Sequence, residues 1–156
     1  MERSDSSFAL RKRPGFLIRR LHQIHVAIFL EECAAFGVTP VQYSLMSALA
    51  EHAPLDQASL AAEIGVDRTT VAGVLRRLEA RGLVVRKGHD QDRRLKMCKL
   101  TAKGAQILKR MEPAVRRAHE RTVDALDPQA RRRFVEALEI LVDANNALGR
   151  AFLRVG

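Results

Sequence analysis

The chain has 156 residues, of which 47% are hydrophobic and 4% aromatic, and it carries a formal net charge of +9. This composition is typical of one compact, mainly helical protein and excludes a large multidomain enzyme and a disordered chain. No apolar run approaches the roughly 20 residues of a membrane span, the N-terminus does not resemble a secretory signal, and the two cysteines lack metal-ligand spacing. We therefore expect a cytoplasmic protein with no membrane partner, no metal and no cofactor.

The basic charge is concentrated in one segment. Residues 67–103 contain eleven Lys and Arg against four Asp and Glu. A merely well-solvated surface would intersperse the two signs, as the C-terminal part does. A local excess instead indicates contacts with the phosphates of double-stranded DNA or another polyanion.

The N-terminal part predicts an arm and a long helix. Residues 1–13 contain little core-forming sequence and are expected to form a flexible arm. A helix is predicted over 14–36, ending at Gly37. Its apolar residues recur on one face and form a stripe: Leu17, Leu21, Ile24 and Ile28.

The next helix is predicted over 40–51 and has a well-marked start. Thr39 and Gln42 fit a capping box, in which each side chain bonds the other residue's backbone N–H. Pro40 falls at the first helical position, where its missing N–H costs nothing.

Two short helices follow, separated by a tight break at Gly65. Asp56 and Asp67 are placed to cap them. Two short helices joined by a glycine-containing turn form a helix-turn-helix, whose second helix reads base edges in the major groove. The second helix is predicted over 68–80, and we expect it to contact DNA through Arg68, Thr69, Thr70, Gly73, Arg76 and Arg77. Ordinary first-turn residues are the alternative interpretation of the two threonines.

A β-hairpin is predicted next, with strands over 83–87 and 95–100 and a polar tip between them. Its tip is typical of a wing, from which an arginine inserts into the minor groove. Asp92 is expected to hold the guanidinium of Arg94 through a bidentate pair, the alternative being a solvated turn. The predicted DNA contacts of the hairpin are Arg86, Asp92, Arg93 and Arg94.

The C-terminal part predicts two further helices, over 101–126 and 128–153. The last helix starts at Asp127-Pro128, a cap followed by a proline at the first position. Its apolar residues have a heptad-like spacing: Phe134, Leu138, Leu141, Leu148 and Phe152. Apolar stripes on the first and last helices need a partner, which favours a two-fold dimer. Asn145 either sets the pairing register of that dimer or faces solvent.

The run over 67–104 resembles the MarR family of bacterial transcriptional regulators. The matching motifs are RL-x-x-RGL-V-x-R at the end of the recognition helix, Asp-x-Arg in the wing (Asp92, Arg94) and LT-x-x-G (Leu100, Thr101, Gly104). The resemblance extends over about residues 14–150 and implies a mainly α, winged helix-turn-helix fold with a small β-hairpin wing. It implies a homodimer whose dimerisation domain comes from 14–36 and 105–156, and whose DNA-binding domain at 37–104 binds a pseudo-palindromic operator. Family members are mostly repressors that are released by a small molecule, often phenolic, or by oxidation.

The resemblance also places an effector between the dimerisation helices and the DNA-binding domain. Arg20 and His25 flank the stripe of the first helix, so Arg20 can take a carboxylate while aliphatic side chains such as Ile24 hold a ring. Tyr43 and Met46 are predicted to line the same space. The sequence is similar to members that sense aromatic acids or their CoA thioesters. Alternatively, Arg20 pairs with an acid across the dimer and His25 is an ordinary boundary histidine.

Other function classes have less support. The histidines and glycines form no catalytic motif, so we expect no enzyme. Cys33 lies late in its helix and Cys98 has no resolving cysteine nearby, so both are expected to be structural thiols. A ligand-independent, redox-responsive or architectural DNA-binding protein is the alternative, and the sequence alone leaves repressor and activator open.

Overall fold

The computed structural model describes residues 9–149 and 153. In chain order, its helices and strands are α1 (Pro14–Glu32), α2 (Pro40–His52), β1 (Leu55–Asp56), α3 (Gln57–Ile64), α4 (Arg68–Ala80), β2 (Val84–Gly88), β3 (Lys96–Leu100), α5 (Ala102–Val123) and α6 (Pro128–Asn145). The chain is thus mainly helical with one small sheet, and α3, α4 and the β2–β3 hairpin form the predicted winged helix-turn-helix. The predicted fold class is confirmed.

The helix starts are fixed by side-chain caps. Thr39 and Gln42 form the predicted capping box at α2. Asp56 accepts a hydrogen bond from the N–H of Ser59 at α3, and Asp67 caps α4 in the same way. Each such cap stabilises its helix by about 1 kcal/mol. Because capping is local chemistry, the sequence predicts these starts correctly.

The sheet contains one strand that the sequence did not predict. Its order is β1–β3–β2, and all pairs are antiparallel. Leu55 pairs with Cys98 and Asp56 with Met97, which ties the entry of the helix-turn-helix to the wing. Two residues are too few for a periodic pattern, so this pairing becomes visible only once the chain has folded.

Both terminal helices are shorter than predicted. α1 ends at Glu32 and a separate 3₁₀ turn, Ala34–Phe36, leads to Gly37 at φ 59°. α6 ends at Asn145, and a 3₁₀ turn follows over Asn146–Leu148. The side chain of Asn146 there bonds both the N–H and the carbonyl oxygen of Leu153. Nδ2 of Asn145, the last residue of α6, donates to the carbonyl oxygen of Leu141 at 2.8 Å. Such a side-chain bond competes with the helical hydrogen bond to the same carbonyl group, which favours an end of the helix here.

Parts of the two terminal predictions lie outside the described residues. These are residues 1–8 of the expected arm and residues 150–152 and 154–156 of the predicted dimerisation domain, which include Phe152 of the heptad-like stripe. Residues Leu10–Lys12 of the arm form a 3₁₀ turn. Within the described ranges, no helix is both long and apolar enough to cross a membrane.

The hydrophobic core lies where α2, α3, α4 and the sheet meet the first two thirds of α5. Its largest fully buried side chains include Leu45, Met46, Leu60, Leu75, Leu78, Leu83 and Met111. α1 contributes a buried residue only near its end, at Phe29, and α6 contributes none. α1 is held to α5 by Glu32, whose carboxylate pairs with Arg117 at 3.0 Å and with Arg121 at 2.7 Å. The terminal helices therefore keep most of their apolar surface outside the core of the single chain.

Candidate DNA-binding surface and effector cavity

The start of α4 is organised around Asp67. Its carboxylate accepts one hydrogen bond from the backbone N–H of Thr70 at 2.9 Å and one from the Thr70 hydroxyl at 2.7 Å. These hydrogen bonds lower the pKa of Asp67, so the cap stays ionised. The hydroxyl group of Thr70 donates its single hydrogen to Asp67, so its oxygen can only accept a hydrogen bond from an external partner. Thr69 is exposed beside it.

Five arginines on α4 and the wing are exposed and unpaired. Their side chains make no hydrogen bond or ion pair with any residue in the described part of the chain. They are Arg68, Arg76, Arg77, Arg93 and Arg94. The opposite face of α4 is buried through Val71, Val74, Leu75 and Leu78, so packing fixes which side of the helix faces outward. α4 and the hairpin tip therefore carry a positive surface whose charges are not paired within the described part of the chain.

Arg86 differs from these five arginines. Its Nε and Nη2 donate to Oε2 of Glu79 at 2.8 and 2.7 Å, and both side chains are 29% exposed. The bond from Glu79 raises the pKa of Arg86. The pair joins the end of α4 to β2. The structure therefore pairs Arg86 with Glu79, a contact that its spacing in the sequence did not indicate. The DNA contact of Arg86 stays a prediction, and this pair argues against it.

The wing tip is shaped by Asp92, but not in the predicted way. Oδ1 of Asp92 accepts from the backbone N–H of Arg94 at 2.9 Å, and the carbonyl oxygen of Asp92 accepts from Leu95 at 3.0 Å. The predicted bidentate bond to the Arg94 guanidinium is absent from the described structure. Asp92 instead closes an Asx turn, which leaves that guanidinium available to an external partner.

Gly73 was predicted to contact DNA, which requires that DNA approach the helix closely at this position. A Cβ there would meet only Nη2 of Arg76, at 4.0 Å, so nothing within the described chain requires a glycine. An approach by a molecule outside the chain stays a prediction.

A second candidate site is a cavity of about 850 Å³ between α1, α5 and α6. Its volume is in the range of small-molecule sites, and its walls are mostly aliphatic. The lining residues are Leu17, Ile18, Arg20, Leu21, His22, Ile24, His25, His119, Thr122, Val123, Phe134, Val135 and Leu138. The structure thus brings together three of the five residues predicted to bind an effector: Arg20, Ile24 and His25.

The other two predicted residues lie elsewhere. Met46 is fully buried in the core. Tyr43 packs its ring at 5.8 Å from that of Phe29 and bonds Glu112 at 3.4 Å. α2 packs against the rest of the DNA-binding domain, so its apolar face turns to the core rather than to the cavity. We therefore remove Tyr43 and Met46 from the predicted effector set.

The sequence did not predict that α5 forms one wall of the cavity. This helix supplies His119, Thr122 and Val123, whereas Phe134 and Leu138 on α6 belong to a stripe that the sequence did single out. Residues on α5 carried no signal, because one helix's pattern does not reveal which other helix crosses it.

Arg20 is the candidate in this cavity for binding an anionic ligand. Nη1 of Arg20 donates to Oε1 of Gln23 at 3.1 Å, one turn along α1. No acid of the described chain pairs with Arg20, which leaves most of its donors for a carboxylate.

His25 is the cavity's most constrained polar group. Its Nδ1 lies 2.9 Å from Oγ1 of Thr122, and its ring stacks on His119 with centroids 5.1 Å apart. Burial, followed by the nearby His119 and His22, lowers the pKa of His25. The ring is therefore neutral near neutral pH.

The two cysteines are both buried thiols. Burial raises the pKa of Cys33, and it raises the pKa of Cys98 to about 11. Thiols of this kind are poor nucleophiles at neutral pH, which agrees with the structural role expected of them.

Comparison with known proteins identifies the family. The sequence model of the MarR family matches residues 36–95. The chain is 30% identical to the HTH-type transcriptional repressor NicR of Pseudomonas putida, over 93% of this chain and 92% of NicR.

Solved structures agree with the sequence match. BpsR of Bordetella bronchiseptica, described as regulated by 6-hydroxynicotinic acid, is 28% identical with a TM-score of 0.81, over 91% of this chain and 99% of BpsR. CouR bound to a 23-mer DNA duplex is 27% identical with a TM-score of 0.82, over 90% and 99% of the two chains. CouR from Rhodococcus jostii RHA1 bound to p-coumaroyl-CoA is 27% identical with a TM-score of 0.75, over 86% and 95%. The chain belongs to the MarR family and is a DNA-binding transcriptional regulator, a non-enzymatic role that its relatives share.

Proposed function

We propose that the protein is a homodimeric repressor that binds a pseudo-palindromic operator and is released by a small aromatic acid or its CoA thioester. The observation that carries the DNA-binding part is the set of five unpaired arginines on α4 and the wing. A role on chromosomal DNA places its action in the cytoplasm.

The DNA interface follows from the orientation of α4. Its N-terminal residues Arg68, Thr69 and Thr70 meet base edges in the major groove, where an arginine takes guanine and the acceptor-only Thr70 takes an amino group of adenine or cytosine. Arg76 and Arg77 meet phosphates, and each phosphate contact releases a counterion. Arg94 on the wing enters the minor groove, where the negative potential is strongest.

The dimer is supported by α6. This helix buries no residue in the single chain, yet exposes Val135, Leu138, Ile140, Leu141 and Val142. α1 adds the exposed Leu30. The exposed Leu17, Ile18 and Ile24 of α1, like Val135 and Leu138 of α6, line the effector cavity, so the dimer rests on the apolar residues outside the cavity. Exposed apolar residues grouped on one helix mark an interface, and a second copy of the chain completes the predicted dimerisation domain at 14–36 and 105–156. In such a dimer each α4 meets one half of a palindrome.

The effector part rests on the cavity and on two relatives. Its aliphatic walls suit an aromatic ring, and Arg20 suits a carboxylate or a thioester's polar groups. BpsR and CouR are described with 6-hydroxynicotinic acid and p-coumaroyl-CoA, both hydroxylated aromatic acid derivatives. α5 begins beside β3 and ends in the cavity wall, so a ligand that moves the end of α5 also moves the DNA-binding domain.

One experiment tests the DNA part. A duplex selected from random sequence is titrated with the wild type and with Arg94→Ala, Thr69→Ala and Arg116→Ala, the last being a charge-matched control on α5. We expect Arg94→Ala to weaken binding at least tenfold, Thr69→Ala to relax sequence preference, and Arg116→Ala to bind as the wild type does. Equal binding of selected and random duplexes would instead identify an architectural DNA binder.

A second experiment tests the effector. Thermal unfolding is followed with a panel of aromatic acids and their CoA thioesters, because a ligand at 100 times its Kd stabilises the native state by roughly 2.7 kcal/mol. A stabilising compound should also release the DNA. Arg20→Ala should lose both responses, whereas Arg19→Ala, a neighbour that lies over Phe16 instead, should keep them. A release that survives Arg20→Ala would overturn the carboxylate role.

A further inference from the structure

His25 and Thr122 are joined by a hydrogen bond whose direction can be deduced. Nδ1 of His25 lies 2.9 Å from Oγ1 of Thr122. The same hydroxyl donates to the backbone oxygen of Ala118 at 2.8 Å. A threonine hydroxyl has one hydrogen and otherwise only accepts. Because that hydrogen is used on Ala118, Thr122 accepts from His25, and Nδ1 carries the imidazole proton.

The other ring nitrogen of His25 is then a hydrogen-bond acceptor. Neutral imidazole has one N–H and one bare nitrogen, and the lowered pKa of His25 keeps the ring neutral. Across residues 9–149 and 153, no group bonds Nε2, and no buried side-chain nitrogen or oxygen lacks a partner. Nε2 therefore reaches accessible space, and His25 lines the cavity.

The cavity thus offers two recognition points of opposite kind. The guanidinium of Arg20 only donates and recognises a carboxylate. His25, five residues later on α1, offers an acceptor to the same cavity.

We propose that Thr122 fixes His25 as an acceptor and thereby makes the cavity select aromatic acids that carry a ring hydroxyl or ring N–H donor over the same acids without one. This inference deepens the proposed effector site and rests on it. A ligand with a donor bonds Nε2, whereas one without a donor desolvates that nitrogen and leaves it unpaired, which is the more costly event. Thr122 acts through His25 and is a positioning residue.

The test combines a spectroscopic and a binding measurement on the full-length protein. The ¹⁵N shifts of His25 at pH 7.5 report which nitrogen carries the proton in the ligand-free wild type, in Thr122→Val and in Thr122→Ser. Calorimetry then gives the Kd values of 4-hydroxybenzoate, of 4-methoxybenzoate, which replaces the donor by a methyl ether, and of benzoate. Thr122→Val removes the hydroxyl at nearly constant volume, and Thr122→Ser keeps it.

We expect an Nδ1–H tautomer in the wild type and in Thr122→Ser, and a mixture of tautomers in Thr122→Val. The wild type should bind 4-hydroxybenzoate about tenfold or more tightly than the other two acids. The hydroxyl of this acid makes a hydrogen bond to Nε2, whereas the other two acids leave Nε2 without a partner. Thr122→Val should reduce this ratio to about twofold, and Thr122→Ser should restore it.

An Nε2–H tautomer in the wild type, or equal affinity for the three acids, would overturn the proposal. Binding of none of the acids, together with silence in the wider thermal-unfolding panel, would overturn the proposed effector and the selection with it, while the tautomer measurement would still stand. The two failures are therefore distinguishable.

Discussion

Gly104 on α5 lies directly against the carbonyl group of Leu83, the residue that precedes β2. A Cβ on Gly104 would overlap the Leu83 oxygen and come within 3.3 Å of a methyl group of Leu100. The Gly104 N–H also bonds the Thr101 hydroxyl, which in turn donates to the carbonyl oxygen of Gly82. This contact joins α5 to the wing, and it explains the glycine in the LT-x-x-G motif by steric exclusion.

We therefore expect Gly104→Ala to destabilise the protein by roughly 1–3 kcal/mol, the usual cost of overpacking. Urea unfolding at fixed protomer concentration measures the change. Gly15→Ala is the matched control, because a Cβ at Gly15 meets nothing within 4 Å and alanine is the better helix former. Equal stability of Gly104→Ala and the wild type would show that the packing of α5 on Leu83 is looser than described.

Replacing Arg86 should affect stability and not DNA affinity. Arg86→Met keeps the volume but leaves Glu79 without its partner, at a cost of roughly 1–3 kcal/mol and a fall in Tm of several degrees. Arg94→Met should show the opposite pattern, an unchanged Tm and DNA binding weakened at least tenfold. Calorimetric melting and fluorescence anisotropy, both at one salt concentration, separate the two effects. A large loss of DNA affinity with Arg86→Met, below its Tm, would return Arg86 to the DNA interface.

Two substitutions of Asp92 distinguish a turn-forming role from an ion pair. Asp92→Asn keeps the side-chain oxygen that accepts from the N–H of Arg94, whereas Asp92→Ala removes it. If the Asx turn is what positions the wing, Asp92→Asn should bind DNA as the wild type does and Asp92→Ala several-fold more weakly. Were the carboxylate needed to hold the guanidinium of Arg94, both variants would lose affinity alike. The same anisotropy titration decides between them.

The cysteines should make the regulator insensitive to oxidants. With a pKa of about 11, only roughly a thousandth of Cys98 is thiolate at pH 8, and burial hinders access as well. We expect slow labelling of the native protein by a thiol reagent, rapid labelling of two thiols in urea, and DNA binding unchanged by peroxide. Rapid native labelling that also abolishes DNA binding, and that Cys98→Ala prevents, would restore a redox mechanism.

The sequence predicted best those features that depend on neighbours along the chain. Helix caps form between residues three positions apart, as at Thr39, Asp56 and Asp67, so they can be predicted without knowledge of the fold. The buried face of α4 was predicted equally well, because the apolar residues of an amphipathic helix lie on one side and that side packs against the core.

The predictions that the structure corrects depend on which helices and strands pack against each other in the fold. Met46 has a position that fits a cavity, but the packing of α2 in the DNA-binding domain buries it. Arg86 has a position that fits a DNA surface, but Glu79 pairs with it. His119 and Thr122 carry no local signal at all. They join the cavity only because α1 runs beside α5, a relationship between residues nearly 100 positions apart.

The lowered pKa of His25 should make stability depend on pH in one direction. The native state binds fewer protons than the unfolded state once the pH falls below about 6.5, the ordinary pKa of histidine. Stability contributed by neutral His25 is therefore complete above that pH and is lost as the pH falls towards the lower pKa of the folded state. The groups packed around the ring are His119, His22, Thr122 and Phe29.

Urea unfolding of the wild type and of His25→Gln at pH 7.5, 6.5 and 5.5 isolates this contribution, since the remaining histidines are present in both proteins. The wild type should lose more stability than His25→Gln between pH 7.5 and 5.5. Affinity for a hydroxylated aromatic acid should fall over the same interval, because protonation converts Nε2 from an acceptor to a donor while the ligand's carboxylate stays ionised. Parallel pH profiles of the two proteins would mean that the ring is already as well solvated as in the unfolded chain, and the cavity would then lack the neutral acceptor on which its selectivity depends.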